Sequence, residues 1–140
     1  MINKQIKPQI LLSTLWIFIL FNMIFRDLHE FLNQEFLDQL FIQQVTQGEM
    51  LLYAIMLEIP IMMVLLSRLL INRYNKWTNF FAGGFMLLGV LSTLMAADTD
   101  DFFFGTMNII ALLVILRVTW SLPGLKQVGK SSHEKITYHS

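Results

Sequence analysis

Cysteine is absent from this sequence of 140 residues. Its absence excludes disulfides, thiolate catalysis and cysteine-ligated metals. A nucleophile elbow, a phosphate-binding loop and a zinc motif are also missing, so no catalytic residue or metal site is predicted, and the sequence leans away from an enzyme. The sequence does not indicate whether a cofactor binds. Nothing in it indicates a nucleic-acid partner.

Apolar residues dominate what is present. They make up 55% of the chain, and the mean hydropathy is +0.57, outside the range of ordinary soluble domains. Four stretches are long enough to cross a bilayer, at about 9–31, 49–70, 77–97 and 102–122. Short polar connections between them favour antiparallel neighbours. The sequence therefore predicts an all-α integral membrane four-helix bundle with up-down-up-down order over residues 1–124, an uncleaved first span and a polar cytoplasmic tail at 125–140.

Charge is sorted along the chain. Nine of the ten basic residues lie before the first stretch, between the second and third, or at the end of the fourth: Lys4, Lys7, Arg68, Arg73, Lys76, Arg117, Lys126, Lys130 and Lys135. The other two connections are acidic. Because Lys and Arg are retained on the cytoplasmic side during insertion, both termini are predicted to be cytoplasmic.

Glu58 is the candidate functional residue in the second stretch. It lies about 13 Å below the outer end of its span at 1.5 Å per residue. An ionised carboxylate at that depth costs about 2.5–3.5 kcal/mol even on lenient insertion scales, so it needs a partner, a proton or water. Pro60 follows two positions later and removes the helical donor of the Met56 carbonyl, which predicts a kink.

Other polar residues are predicted at a similar depth. Asn22 lies on the first span, Arg26 is one turn above it on the same face, and Asn108 lies on the fourth span. The sequence predicts a ligand-binding cavity bounded by Asn22, Arg26, Glu58 and Asn108. Two alternatives stay open: an Arg26–Glu58 ion pair with amide bonds that only hold the helices together, and a proton or ion path. If Glu58 faces lipid, or if the side chains of Asn22, Arg26 and Asn108 fill the space, the hypothesis of this four-residue cavity fails and the polar cluster is structural.

Several strings resemble an uncharacterised bacterial family of small four-span membrane proteins of the broad DoxX-like group. They are Leu12–Trp16, Asn22–Asp27, Leu57–Ile61, Leu66–Arg68, Asn75–Asn79 and Phe103–Thr106. The resemblance covers most of residues 11–122, and its most specific part is Glu58-Ile59-Pro60. An acidic residue often follows Thr in the fourth span of that group, but the position is Asn108 here. The resemblance implies a location in the bacterial inner membrane and no settled activity. Some DoxX-like proteins are associated with quinone-linked oxidoreductase complexes, which is an analogy at the level of the fold.

Three functions fit these observations. The first is a membrane protein that binds a lipid-like or quinone-like molecule, alone or with a membrane protein partner. The second is a small-solute or proton-coupled transporter, against which the lack of an inverted repeat argues. The third is an enzyme acting on a lipidic substrate, in which Glu58 would exchange protons.

Overall fold

Four α-helices of 23 residues each form the structure, a computed structural model that describes residues 7–34, 37–38, 42, 46–95 and 99–122. They are α1 Pro8–Glu30, α2 Gln47–Leu69, α3 Asn72–Leu94 and α4 Thr99–Ser121. A helix of this length spans about 34 Å, close to the thickness of a hydrocarbon core. All four are long and apolar enough to cross a membrane, so the all-α bundle prediction is confirmed. The tail predicted at 125–140 lies outside the described residues.

Helix α1 packs against α2 and α4, while α3 packs against α4 and, less extensively, α2. Consecutive helices are antiparallel. Ser13, near the start of α1, bonds to the carbonyl of Val64 near the end of α2. A Cβ on Gly83, in the first half of α3, would lie 3.3 Å from Leu116 in the second half of α4. The chain therefore runs up, down, up and down.

The third helix begins five residues earlier than predicted. The sequence predicts a polar turn over 72–76 and a span from 77, but only Leu70 and Ile71 separate α2 from α3. The predicted turn is wrong because Asn75, one of its two asparagines, does not face solvent. Asn75 is fully buried, and its Nδ2 donates to the carbonyl of Ser67, one of the last carbonyls of α2, which lack a helical partner.

The middle of the bundle is a buried apolar layer. Its fully or almost fully buried members are Ile19, Met63, Met86, Leu112 and Ile115. The outer surfaces of the helices are also apolar, as a lipid environment requires. This layer separates the buried polar side chains of the described bundle into two groups, one toward each end.

Candidate functional site

Asn22 and Asn108 join α1 to α4 in the half of the bundle where α4 begins. Asn22 Nδ2 donates to Asn108 Oδ1 at 2.9 Å and to the carbonyl of Phe104 at 2.8 Å. Because a backbone carbonyl can only accept, the amide nitrogen of Asn22 must face Phe104, and both of its N–H donors are used. The amide oxygen of Asn22 has no hydrogen-bond partner within the described ranges. The sequence predicts Asn22 and Asn108 at a similar depth in the membrane, and in the structure their side chains are in direct contact.

Arg26 lies one turn farther along α1 and is surrounded by carboxylates. Its Nε is 3.1 Å from Glu30 Oε1, 3.4 Å from Asp101 Oδ1 and 4.0 Å from Asp27 Oδ1. Asp101 comes from α4, so the charges also join α1 to α4. We refer to Asn22, Arg26, Glu30, Asp101 and Asn108 as the Asn22 cluster.

Two spaces adjoin the Asn22 cluster. The larger is an open groove of about 340 Å³, lined by Asn22, Phe25, Leu28, His29, Leu32 and Phe104. The smaller is a cleft of about 50 Å³, lined by Met23, Arg26, Val90, Thr93, Leu94, Asp101, Gly105 and Asn108. The groove is apolar except for Asn22 and His29, whereas the cleft contains an arginine and an aspartate. A site with an apolar wall and a few polar groups is the usual form of a small-molecule pocket, although this groove is unusually open.

Glu58 is not part of this site. It is exposed on α2, and it makes no hydrogen bond or ion pair with any described residue. The predicted Arg26–Glu58 pair is wrong, since Arg26 is engaged by carboxylates of α1 and α4, and the predicted cavity bounded by all four residues does not form. The reason is the direction of the side chain around the helix. The buried positions of α2 are Pro60, Met63 and Ser67, and at about 100° per residue Glu58 lies roughly 140–200° away from them.

A second polar group, which the sequence analysis did not identify as a site, lies at the opposite end of the bundle. Its members are Ser13, Trp16, Ser67, Asn75 and Asn79, which we call the Asn79 network, and every one of them is fully buried. Asn79 Oδ1 accepts from Trp16 Nε1 at 2.7 Å and from Ser67 Oγ at 3.1 Å. Its Nδ2 donates to the carbonyl and to Oδ1 of Asn75. The amide of Asn79 therefore has all four of its hydrogen bonds, and the arrangement is that of a structural core.

The rim of this network is held by Arg68 and two amides. Arg68 Nε donates to Ser13 Oγ at 2.9 Å, and Gln9 Nε2 donates to Asn72 Oδ1 at 2.6 Å. The network could have been found in the sequence. Asn72, Asn75 and Asn79 are spaced i, i+3 and i+7, which places all three on one stripe of a helix.

The two ends of the bundle carry opposite charge. The described basic residues at the end where α1 begins are Lys7, Arg68, Arg73, Lys76 and Arg117. The opposite end holds Asp27, Glu30, Glu49 and Asp101, with Arg26 among them. Two exposed indoles, Trp77 and Trp120, lie at the basic end, and Lys76 Nζ stands 5.2 Å from the centroid of the Trp120 ring. Indoles at this level are typical of a membrane–water interface.

Within the described ranges, no three His, Asp or Glu side chains are close enough to hold a metal ion together. The polar side chains that line the two spaces are Asn22 and His29 in the groove, and Arg26, Thr93, Asp101 and Asn108 in the cleft.

Four apolar helices with buried amides between them define a small multi-pass helical membrane protein. The chain belongs to a protein family described as "Family of unknown function (DUF6326)", whose sequence profile matches residues 1–126. No curated protein and no solved structure matches it. Membership of an uncharacterised family agrees with the resemblance noted in the sequence. The link to DoxX-like proteins stays a prediction.

Proposed function

We propose that this membrane protein binds a lipid-like or quinone-like molecule in the groove between α1 and α4, with the polar head of the molecule beside Asn22. The observation that carries the proposal is the groove itself, an open and mostly apolar space of about 340 Å³ that is lined in part by Asn22, whose amide oxygen has no hydrogen-bond partner in the described structure. Phe25, Leu28 and Phe104 would contact the apolar body. Arg26 and Asn108, on the cleft side, would hold Asn22 in position or contact a larger head.

The hydrogen bonds that Asn22 already makes restrict which chemical groups the polar head of the ligand can carry. Both of its N–H groups are used within the protein, so only its oxygen is available to a ligand. An oxygen acceptor selects a hydroxyl or another donor. The reduced, hydroxyl-bearing form of a quinone-like molecule therefore fits this site better than the carbonyl form. Glu58 is left out of the proposal, since it lies on the opposite side of α2 from the packed face.

A proton or ion path is less well supported. Such a path needs a chain of polar groups or water through the membrane. Between the Asn22 cluster and the Asn79 network lies the buried apolar layer that contains Ile19, Leu112 and Ile115, each with 0% exposure. The described part of the bundle core thus offers no polar connection between the two ends, which also argues against a transporter formed by one copy.

The groove can be filled without disturbing Asn22. Leu28 is 54% exposed and lines the groove, so Leu28→Trp should occupy it and weaken the binding of a long-chain quinol analogue by about tenfold, the equivalent of about 1.4 kcal/mol. Binding to purified protein would be measured by calorimetry, with mass spectrometry of molecules that co-purify in detergent as an independent test.

Ile10→Trp is the matched control, because Ile10 is 47% exposed on the same helix but far from the groove. It should bind the analogue as the unmodified protein does. The dimethyl ether of the same quinol, which has no donor, should bind more weakly to the unmodified protein. Equal binding by Leu28→Trp and Ile10→Trp would refute the groove as the site.

We further propose a bacterial inner membrane location with both termini in the cytoplasm. The support is the collection of Lys7, Arg68, Arg73, Lys76 and Arg117 at one end of the bundle, since basic residues stay on the cytoplasmic side. Reporter fusions truncated after Lys7, Asp38, Ile71 and Leu122 should report inside, outside, inside and inside. An outside signal at Ile71 would overturn this orientation.

A further inference from the structure

One face of α2 is a continuous exposed apolar strip with a single acid at its centre. Its members are Leu51, Ala54, Ile55, Glu58, Ile61, Met62, Leu65 and Leu69, and all are exposed. On a helix with 3.6 residues per turn, each lies within about 60° of the direction of Glu58. We call this surface the Glu58 strip. It faces away from the bundle, since α2 packs through Pro60, Met63 and Ser67.

No described side chain of the same chain pairs with the carboxyl group of Glu58. Glu58 makes no polar contact with the rest of the described protein, and the described basic side chains lie near the ends of the helices rather than at its depth. An ionisable group that faces lipid near mid-depth is expensive, and such groups normally pair with a partner. A partner from outside the chain would compensate the acid at this position.

We propose that the Glu58 strip is the contact surface between two copies of this chain. Glu58 is the twelfth of the 23 residues in α2, the midpoint of the helix. Two copies inserted in the same direction and related by a two-fold axis along the membrane normal bring Glu58 to face Glu58 at the same depth. The two Glu58 side chains can then hydrogen-bond to each other across the contact, so the strip is complementary to itself in polarity.

The spacing of the strip fits a helix pair. Leu51, Glu58 and Leu65 are seven residues apart, the repeat that keeps one seam of a helix facing a partner. A single polar residue at such a seam position fixes the register of two helices, and in membranes polar side chains join helices by hydrogen bonds. The contact is independent of the groove between α1 and α4, and it holds or fails whether or not a ligand binds there.

The absence of cysteine makes the test direct. Leu51→Cys and Leu65→Cys place single thiols on the strip, and mild oxidation of membranes containing the full chain should give disulfide-linked dimers. Tyr53→Cys is the control. Tyr53 is 69% exposed and Leu51 is 62% exposed, but Tyr53 lies about 160° around the helix from Leu51, so its thiol should not cross-link.

A second change tests the acid. Glu58→Leu in the Leu51→Cys chain should reduce the cross-linked fraction at low protein density by about three- to thirtyfold, the range expected for one interhelical polar contact. Glu58→Gln should retain it to within about threefold, because two amides also bond to each other. Neither change alters a packed position, so both variants should unfold at the temperature of the unmodified protein. Equal cross-linking at Leu51→Cys and Tyr53→Cys, none at Leu51→Cys and Leu65→Cys, or no response to Glu58→Leu would overturn the proposal.

Discussion

Replacing Asn79 by leucine should lower the free energy of unfolding by about 2–4 kcal/mol, because several buried groups lose their partner at once. Asn79 Oδ1 is the acceptor for Trp16 Nε1 and Ser67 Oγ, and Asn79 Nδ2 is a donor to Asn75. Leucine has nearly the same volume but satisfies none of these groups. Unfolding in detergent, followed by tryptophan fluorescence as a denaturant is added, would measure the loss.

Two further variants test whether the lost hydrogen bonds are the cause of the destabilisation. Asn79→Asp keeps the acceptor but loses the donors to Asn75, and it places a charge in a fully buried position, so it should destabilise at least as much as the leucine. Thr78→Val changes a polar residue one position away that bonds only within its own helix, to the carbonyl of Tyr74, and it should stay within about 0.5 kcal/mol. A leucine variant as stable as Thr78→Val would contradict the role given to the network.

Trp16→Ala should cost about 3–5 kcal/mol, the largest single effect expected in this bundle. Trp16 has 0% exposure and is the largest fully buried side chain. The indole lies in the core of the bundle and donates from α1 to Asn79 of α3 at 2.7 Å. Removing it leaves a cavity and an amide oxygen with one partner fewer, and the loss should appear as a lower midpoint of unfolding.

Trp16→Phe separates packing from hydrogen bonding. It keeps most of the ring but loses the donor, so it should cost about 1–3 kcal/mol. Combined with Asn79→Leu, it should give less than the sum of the two single effects, with a coupling of about 0.5–2 kcal/mol. The control is Trp77→Ala, since Trp77 is 56% exposed and should lose less than about 1 kcal/mol. A Trp77 change as costly as the Trp16 change would show that burial is not what matters here.

The architecture could be predicted from the sequence because it depends on length and polarity alone. Four apolar stretches of about 20 residues separated by short polar connections allow few arrangements in a membrane. The same reasoning placed the start of α3 at 77 instead of Asn72, since a run of polar residues was interpreted as a turn. The buried hydrogen bond from Asn75 to the Ser67 carbonyl, which makes the helix possible there, joins residues whose contact the sequence does not reveal.

The candidate site, too, could be predicted from the sequence only in part. Depth along a helix can be counted from a sequence, so the match of Asn22 with Asn108 was predictable. Direction around a helix depends on which face packs, and α2 is apolar on every side. Nothing in its composition distinguishes the face of Met63 from the face of Glu58, and the acid was therefore predicted to point inward. The groove could not be predicted either, because it depends on the positions of Phe25 and Phe104 on two helices.

The Asn79 network draws its side chains from α1, α2 and α3 and none from α4. Thr119 of α4 is fully buried, yet its hydroxyl bonds to no described residue. The chain is synthesised from its N-terminus, so the first three helices reach the membrane while α4 is still being made. The hydrogen bonds of the Asn79 network therefore need no residue of α4, and they can form while the ribosome is still making that helix.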